Sequence, residues 1–156
     1  MLSANDLRYI ALRHFHTRDT FGGVFSADTL PTLLADSPVF YIVNTDKSNG
    51  IGLHWILITI PNSIAEIEWF DSLGKTPDYY HNNFLKFVTR NYRSSYLTNS
   101  YCVQSSNSDK CGYFCMYVAD KRCMSNTYAN IMKTFNVDNL SENDTLTVNY
   151  VHNHMM

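Results

Sequence analysis

The segment Cys111-Gly-Tyr-Phe-Cys-Met-Tyr-Val-Ala119 constrains this chain more than any other, because it carries no charged side chain on any face. A helix that is apolar all round is stable only when other elements cover it on every side. The run is too short to cross a bilayer, which takes about 20 apolar residues, and no other stretch reaches that length. The sequence therefore predicts a buried helix around which the rest of the chain packs. Two runs upstream supply a sheet to cover it. Val39-Phe-Tyr-Ile-Val43 and His54-Trp-Ile-Leu-Ile-Thr-Ile60 are rich in β-branched and aromatic residues and read as buried strands. They are bounded by the turn-like Asp46-Lys-Ser-Asn-Gly50 and Pro61-Asn-Ser63. Ile64 to Phe70 makes a third strand, with Glu66 and Glu68 on one face, and Tyr96 to Val103 a fourth. The strands flanking Pro61-Asn-Ser63 form a hairpin, which brings His54, at the start of one, toward Asp71, at the end of the other.

Ser3-Ala-Asn-Asp6 reads as a capping box, and Leu7, Ile10, Ala11 and Phe15 then recur at helical spacing. Phe21-Gly-Gly23 breaks that pattern, and Ser26 caps a short helix through Ala35. Pro77 opens a further helix through Tyr92, with Phe84, Leu85, Val88 and Tyr92 on its apolar face. The tail has helical signals from Ser125 to Phe135 and again from Ser141. With 156 residues and 45% hydrophobic content, the expectation is one domain over residues 1–156, of the α+β class, with the apolar helix central to a mostly antiparallel sheet.

A net charge of -2 gives no field that would draw the chain to nucleic acid or an anionic membrane. Lys75, Lys86, Arg90 and Arg93 read as a solvated helix face, not a basic patch. The N-terminus lacks a basic stretch followed by an apolar run, so an intracellular setting is expected. The four cysteines crowd into residues 102–123, which suits reduced thiols better than a disulfide framework. Their spacing lacks paired C-x-x-C knuckles, and His152 and His154 are read as solvent-facing, so no metal and no cofactor is expected.

A thiol attacks as thiolate, and a helix N-terminus favours negative charge. Cys111 opens the buried helix behind the polar loop Ser105-Ser-Asn-Ser-Asp109, and Gly112 after it lets a backbone approach closely. Cys102 and Cys115 read as small core residues. His54 begins an apolar strand, where an imidazole is a poor choice unless both nitrogens find partners. As a base for Cys111, with Asp71 orienting the ring, it has such partners. The side-chain amide of Gln104 can join the backbone N–H of Cys111 around a developing oxyanion. Trp55 reads as core.

Leu53-His-Trp-Ile-Leu57, Phe70-Asp-Ser-Leu-Gly74 and Val103-Gln-Ser-Ser-Asn-Ser-Asp-Lys-Cys-Gly-Tyr-Phe-Cys115 together resemble the adenovirus-type (adenain-like) protease within the wider ubiquitin-like-protein protease clan. The order His, acid, Gln, Cys is the same, over about half of the chain. The resemblance implies a papain-like α+β fold and cleavage after small residues at Gly-Gly or Gly-x sites. It also implies catalytic roles for His54, Asp71, Gln104 and Cys111. Asp at the acid position is the cellular flavour, whereas the compact size is that of proteases from small double-stranded DNA viruses and virophages. The implied substrates are virion precursor proteins, and the implied location is host cytoplasm or nucleus and virion. Adenovirus-type enzymes are activated by a disulfide-linked peptide and by DNA. Here Arg93 stands where the pairing cysteine would fall and the charge is slightly acidic, so neither activator is expected. Competing expectations are release of ubiquitin-like modifiers, acyl transfer, and a silent binding module that keeps the fold.

Overall fold

The computed structural model describes residues 1–32, 38–62, 66–91 and 95–156, with Asn91 by its backbone alone. Five strands form one sheet in sequence order: β1 (Phe21–Ser26), β2 (Val39–Asn44), β3 (Trp55–Ile60), β4 (Ile67–Phe70) and β5 (Tyr96–Thr98). The central pairs β2/β3 and β3/β4 are antiparallel, and the outer pairs β1/β2 and β4/β5 are parallel. Every residue of β2, β3 and β4 is buried. The reason lies in their alternation: Phe40, Ile42, Trp55, Leu57 and Phe70 face one apolar cluster, while Tyr41, Val43, Ile56, Ile58 and Trp69 face another. Both faces of these strands are covered, so their sequence is mostly apolar, with Asn44, Thr59 and Glu68 as buried polar exceptions.

The first cluster holds helix α1 (Ala4–Arg13), the central helix α3 (Cys111–Cys123), α4 (Tyr128–Met132) and α5 (Leu140–His154). The second is closed by α2 (Asn82–Asn91) through Phe84, Phe87 and Val88. Helix α3 packs on β3 and α5 and keeps Phe114, Met116, Val118 and Ala119 out of water altogether. Burying a side chain the size of Phe114 contributes about 2 kcal/mol. The capping box at Ser3 and Asp6 is formed, with Leu7, Ile10 and Ala11 inward. Phe15 lies beyond the helix and is exposed.

Four segments differ from the sequence expectation. Phe21–Ser26 is a strand, and no helix begins at Ser26, whose backbone instead closes a turn with Thr29. The Gly-Gly pair is a register irregularity within that strand: a Cβ on Gly22 would lie 2.3 Å from the Tyr41 ring, and Gly23 has φ +133°. The remainder of the helix expected through Ala35, from residue 33 on, lies outside the described residues, as do Ile64, Tyr92 and Arg93. The helix expected from Pro77 is a 3-10 turn, Pro77–Tyr79, then a break at Tyr80 before α2 begins. Leu85 is exposed, and Phe87 takes its place on the apolar face. Strand β5 stops at Thr98 because the Asn99 side chain takes over the ladder: its Oδ1 accepts from the Asp71 N–H and its Nδ2 donates to the Asp71 carbonyl. Lys86 and Arg90 lie on an exposed helix face, and His152 and His154 are exposed.

Candidate active site

Antiparallel pairing of Leu57 with Phe70 brings the residues preceding β3 and following β4 to one end of the sheet. There His54 Nε2 lies 2.6 Å from Asp71 Oδ1. Asp71 is wholly buried, and a buried carboxylate requires full satisfaction. Its Oδ1 also accepts from the Leu73 N–H at 2.8 Å, and its Oδ2 accepts from the Lys75 N–H at 3.2 Å and the Tyr80 hydroxyl at 2.6 Å. The turn that supplies these N–H groups closes with Gly74 N–H donating to the Asp71 carbonyl. Gly74 has φ +73°, and a Cβ there would sit 2.4 Å from the Tyr101 carbonyl carbon, so no other residue fits.

With Nε2 committed to Asp71, the other ring nitrogen, Nδ1, is left for Cys111, which lies close enough to act on the charge of the ring. Burial works against charge on His54, but Asp71 and Cys111 outweigh it and raise the ring from 6.5 to about 9. The ring is therefore an imidazolium at neutral pH. Tyr80 stacks on the His54 ring at 6.2 Å between centroids, and burial together with Asp71 pushes its phenol far up, so it acts only as a donor. Cys111 opens α3, where the first N–H groups have no partner within the helix. Cys115, one turn on, is buried, and burial pushes its thiol well up, so it is inert core.

Gln104 is buried and tied to the same turn. Its backbone N–H, and that of Val103, donate to the Ser72 carbonyl, while the Ser72 hydroxyl donates to Gln104 Oε1 at 2.6 Å. Gln104 Nε2 donates to the Ser108 carbonyl at 2.7 Å; because a carbonyl only accepts, this contact fixes which end of the amide is nitrogen. One N–H of that amide is left over. Adjacent residues thus hold two functional groups, Asp71 the imidazole and Ser72 the amide.

The sequence did not single out Tyr80, Ser72 or Asn99. Ser72 stood in the quoted Asp-Ser-Leu-Gly motif, but nothing in spacing placed Tyr80 or Asn99 at this site. Gly112 also differs from its expectation: a Cβ there would meet Leu2 at 3.1 Å, so its smallness admits the N-terminal segment. Cys102 is exposed, with its thiol 3.1 Å from the Gln104 carbonyl, and is not a core residue.

A thiol opening a buried helix, an imidazole close to it and a buried carboxylate behind the imidazole, on a helix-and-sheet α+β scaffold, are the arrangement of a cysteine protease. Residues 26–148 match the Ulp1 protease family, C-terminal catalytic domain, and the chain belongs to that family. It lies within the ubiquitin-like-protein protease clan to which the sequence resemblance pointed. Among solved structures, the chain is similar to the crystal structure of the selenomethionine ASFV pS273R protease, with a TM-score of 0.52 and 20% identity. The likeness covers 75% of this chain and 44% of that one, so this chain spans less than half of that protein's length, and at such identity it concerns the fold alone. No curated protein matches the chain.

Proposed function

We propose that the chain is a cysteine endopeptidase in which Cys111 is the nucleophile, His54 the acid and base, Asp71 the orienting carboxylate and Gln104 the oxyanion donor. The observation that carries this reading is the buried His54 ring, held by Asp71 at 2.6 Å and close enough to Cys111, at a helix N-terminus, to be influenced by it. The Cys111 thiolate attacks the scissile carbonyl carbon. The oxygen then takes up negative charge, which the free N–H of Gln104 and the N–H groups at the start of α3 stabilise. His54 gives its Nδ1 proton to the departing amine, and the thioester is hydrolysed by water with the same nitrogen as base.

The setting of the site favours small residues at the cleaved bond. Cys111 is 1% exposed, so a slender, glycine-like backbone reaches it most readily. Ile51 and Leu53, just before His54, are 94% and 61% exposed and offer apolar contact to an extended chain. A cleft lined by Leu2, Asn44, Ile51, Gly52 and Trp55 lies beside the segment that leads into His54. The substrates we propose are virion precursor proteins cut after Gly-rich sites, in host cytoplasm or nucleus and in the virion.

The family match favours a second reading, release of ubiquitin-like modifiers after Gly-Gly. Both readings are tested by incubating wild type and Cys111→Ala, under reducing conditions and without DNA, with a Gly-Gly peptide library and with modifier-fused reporters. Cleavage of library peptides by wild type alone supports the endopeptidase. Cleavage confined to the modifier fusions supports the second reading. Activity in Cys111→Ala, or none in folded wild type, overturns the assignment of the nucleophile.

A further inference from the structure

We propose that His14, His16 and Asp120 form a binding site for a divalent first-row transition metal ion, separate from the proposed catalytic residues. His14 closes α1, and the chain turns there so that His16, two residues on, presents its Nδ1 beside His14 Nε2 at 3.2 Å. Both nitrogens converge on one oxygen of Asp120, His14 Nε2 at 2.9 Å and His16 Nδ1 at 3.0 Å from Oδ1. Asp120 is 1% exposed, a carboxylate placed in the otherwise apolar burial of α3. Its other oxygen, Oδ2, accepts from the Tyr150 hydroxyl at 2.5 Å, which leaves Oδ1 for the two imidazoles.

Hydrogen bonding can use only two of the three edges of this triangle at once. If both imidazoles carry a proton on the inward nitrogen, both donate to Oδ1 and the 3.2 Å edge between the two nitrogens is left without a hydrogen bond. If only one does, the bare nitrogen faces the carboxylate with lone pair against lone pair. A cation uses all three contacts together. An ion about 2.1 Å from each donor would see edges of this length at angles of about 90–100°, between octahedral and tetrahedral. Two imidazoles and one carboxylate on one face, with further positions open, suit zinc or iron(II) better than the hard cations magnesium and calcium. His16 is half-buried, with a side chain 36% exposed, so the site has a way in from solvent.

The tyrosine behind Asp120 plays the part that outer hydrogen bonds play in known metal sites, fixing the carboxylate's orientation. The ion would clamp the turn after α1 onto the second half of α3, about 13 Å along the helix axis from Cys111. It would therefore stabilise the helix that carries the thiol and take no part in bond cleavage.

The test uses the full chain as Cys111→Ala, stripped with chelator, so that the proposed nucleophile cannot compete for the ion. Titration with cobalt(II) is expected to give one equivalent bound, with ligand-field absorption but no thiolate charge-transfer band. Zinc is expected to displace the cobalt and raise the melting temperature. His16→Ala, and His16→Gln as a check on folding, should weaken binding at least about tenfold while the circular dichroism is unchanged. No uptake of either ion, uptake undiminished in both His16 variants, or a spectrum with thiolate charge transfer each overturns the site.

Discussion

Replacing Asp71 by Asn removes one charge from the site while keeping nearly the same shape. Its effect follows from the raised His54 ring. Asp71 and Cys111 together overcome burial and lift the ring from 6.5 to about 9, which corresponds to about 3 kcal/mol of preference for the imidazolium. The direct Asp71 contact is the larger of the two favourable causes, so most of that preference is lost with the charge. The new amide also meets the Lys75 N–H with a donor of its own, since Asp71 Oδ2 now accepts there. The expected result is a fall in kcat/KM of about a hundredfold, with the alkaline limb of the pH profile moving down from near pH 9 toward neutrality. The linkage has a definite sign. Because the folded value lies above the ordinary one, the stability contributed by His54 is complete below pH 6.5 and is lost as pH rises to about 9. Wild type should lose stability across that window and Asp71→Asn should lose much less. An Asp71→Asn protein within threefold (about 0.7 kcal/mol) of wild-type kcat/KM, with an unmoved alkaline limb, would refute the reasoning.

Gln104→Ala should lower kcat by about 10²–10³ with KM nearly unchanged, because an oxyanion donor acts on the transition state; steady-state kinetics with parallel denaturation curves separates this from unfolding. Gly74→Ala forces a side chain into φ +73° and against the Tyr101 carbonyl, so chemical denaturation should show a loss of at least about 2 kcal/mol, with activity falling as the Asp71–Ser72 turn shifts. Arg122 Nε and Nη2 donate to both oxygens of buried Glu68 at 2.7 and 2.8 Å, so Arg122→Met strands a carboxylate and should cost about 3 kcal/mol, measured by urea unfolding, while kcat at low temperature is retained.

The parts of the fold that were legible in the sequence are those whose signal is local. Cys111–Ala119 reads as a buried helix because it has no polar face. The strands β2 and β3 read as buried because both faces are apolar, and α1 announces itself by its capping box. His54 and Asp71 could be paired in advance because a hairpin fixes the distance between its open ends. The misread segments are those where a tertiary contact overrides a local preference. The Gly-Gly pair looks like a break in one dimension but accommodates the Tyr41 ring in three. The helix at Pro77 is interrupted where Tyr80 turns back to Asp71 and His54.

Residue types and their order along the chain thus determined which residues we propose as nucleophile and base, and the buried helix that packs on the sheet, since burial pattern and helix-end electrostatics are properties of neighbouring residues. Only the tertiary structure decided that Tyr80 and Asn99 complete the Asp71 environment. It alone decided that Ser72 holds Gln104, and that Asp120 meets His14 and His16 across more than a hundred residues of chain. Hydrogen bonds between side chains far apart in sequence leave no periodicity to read, because each depends on where two separately folded elements come to rest against the same core.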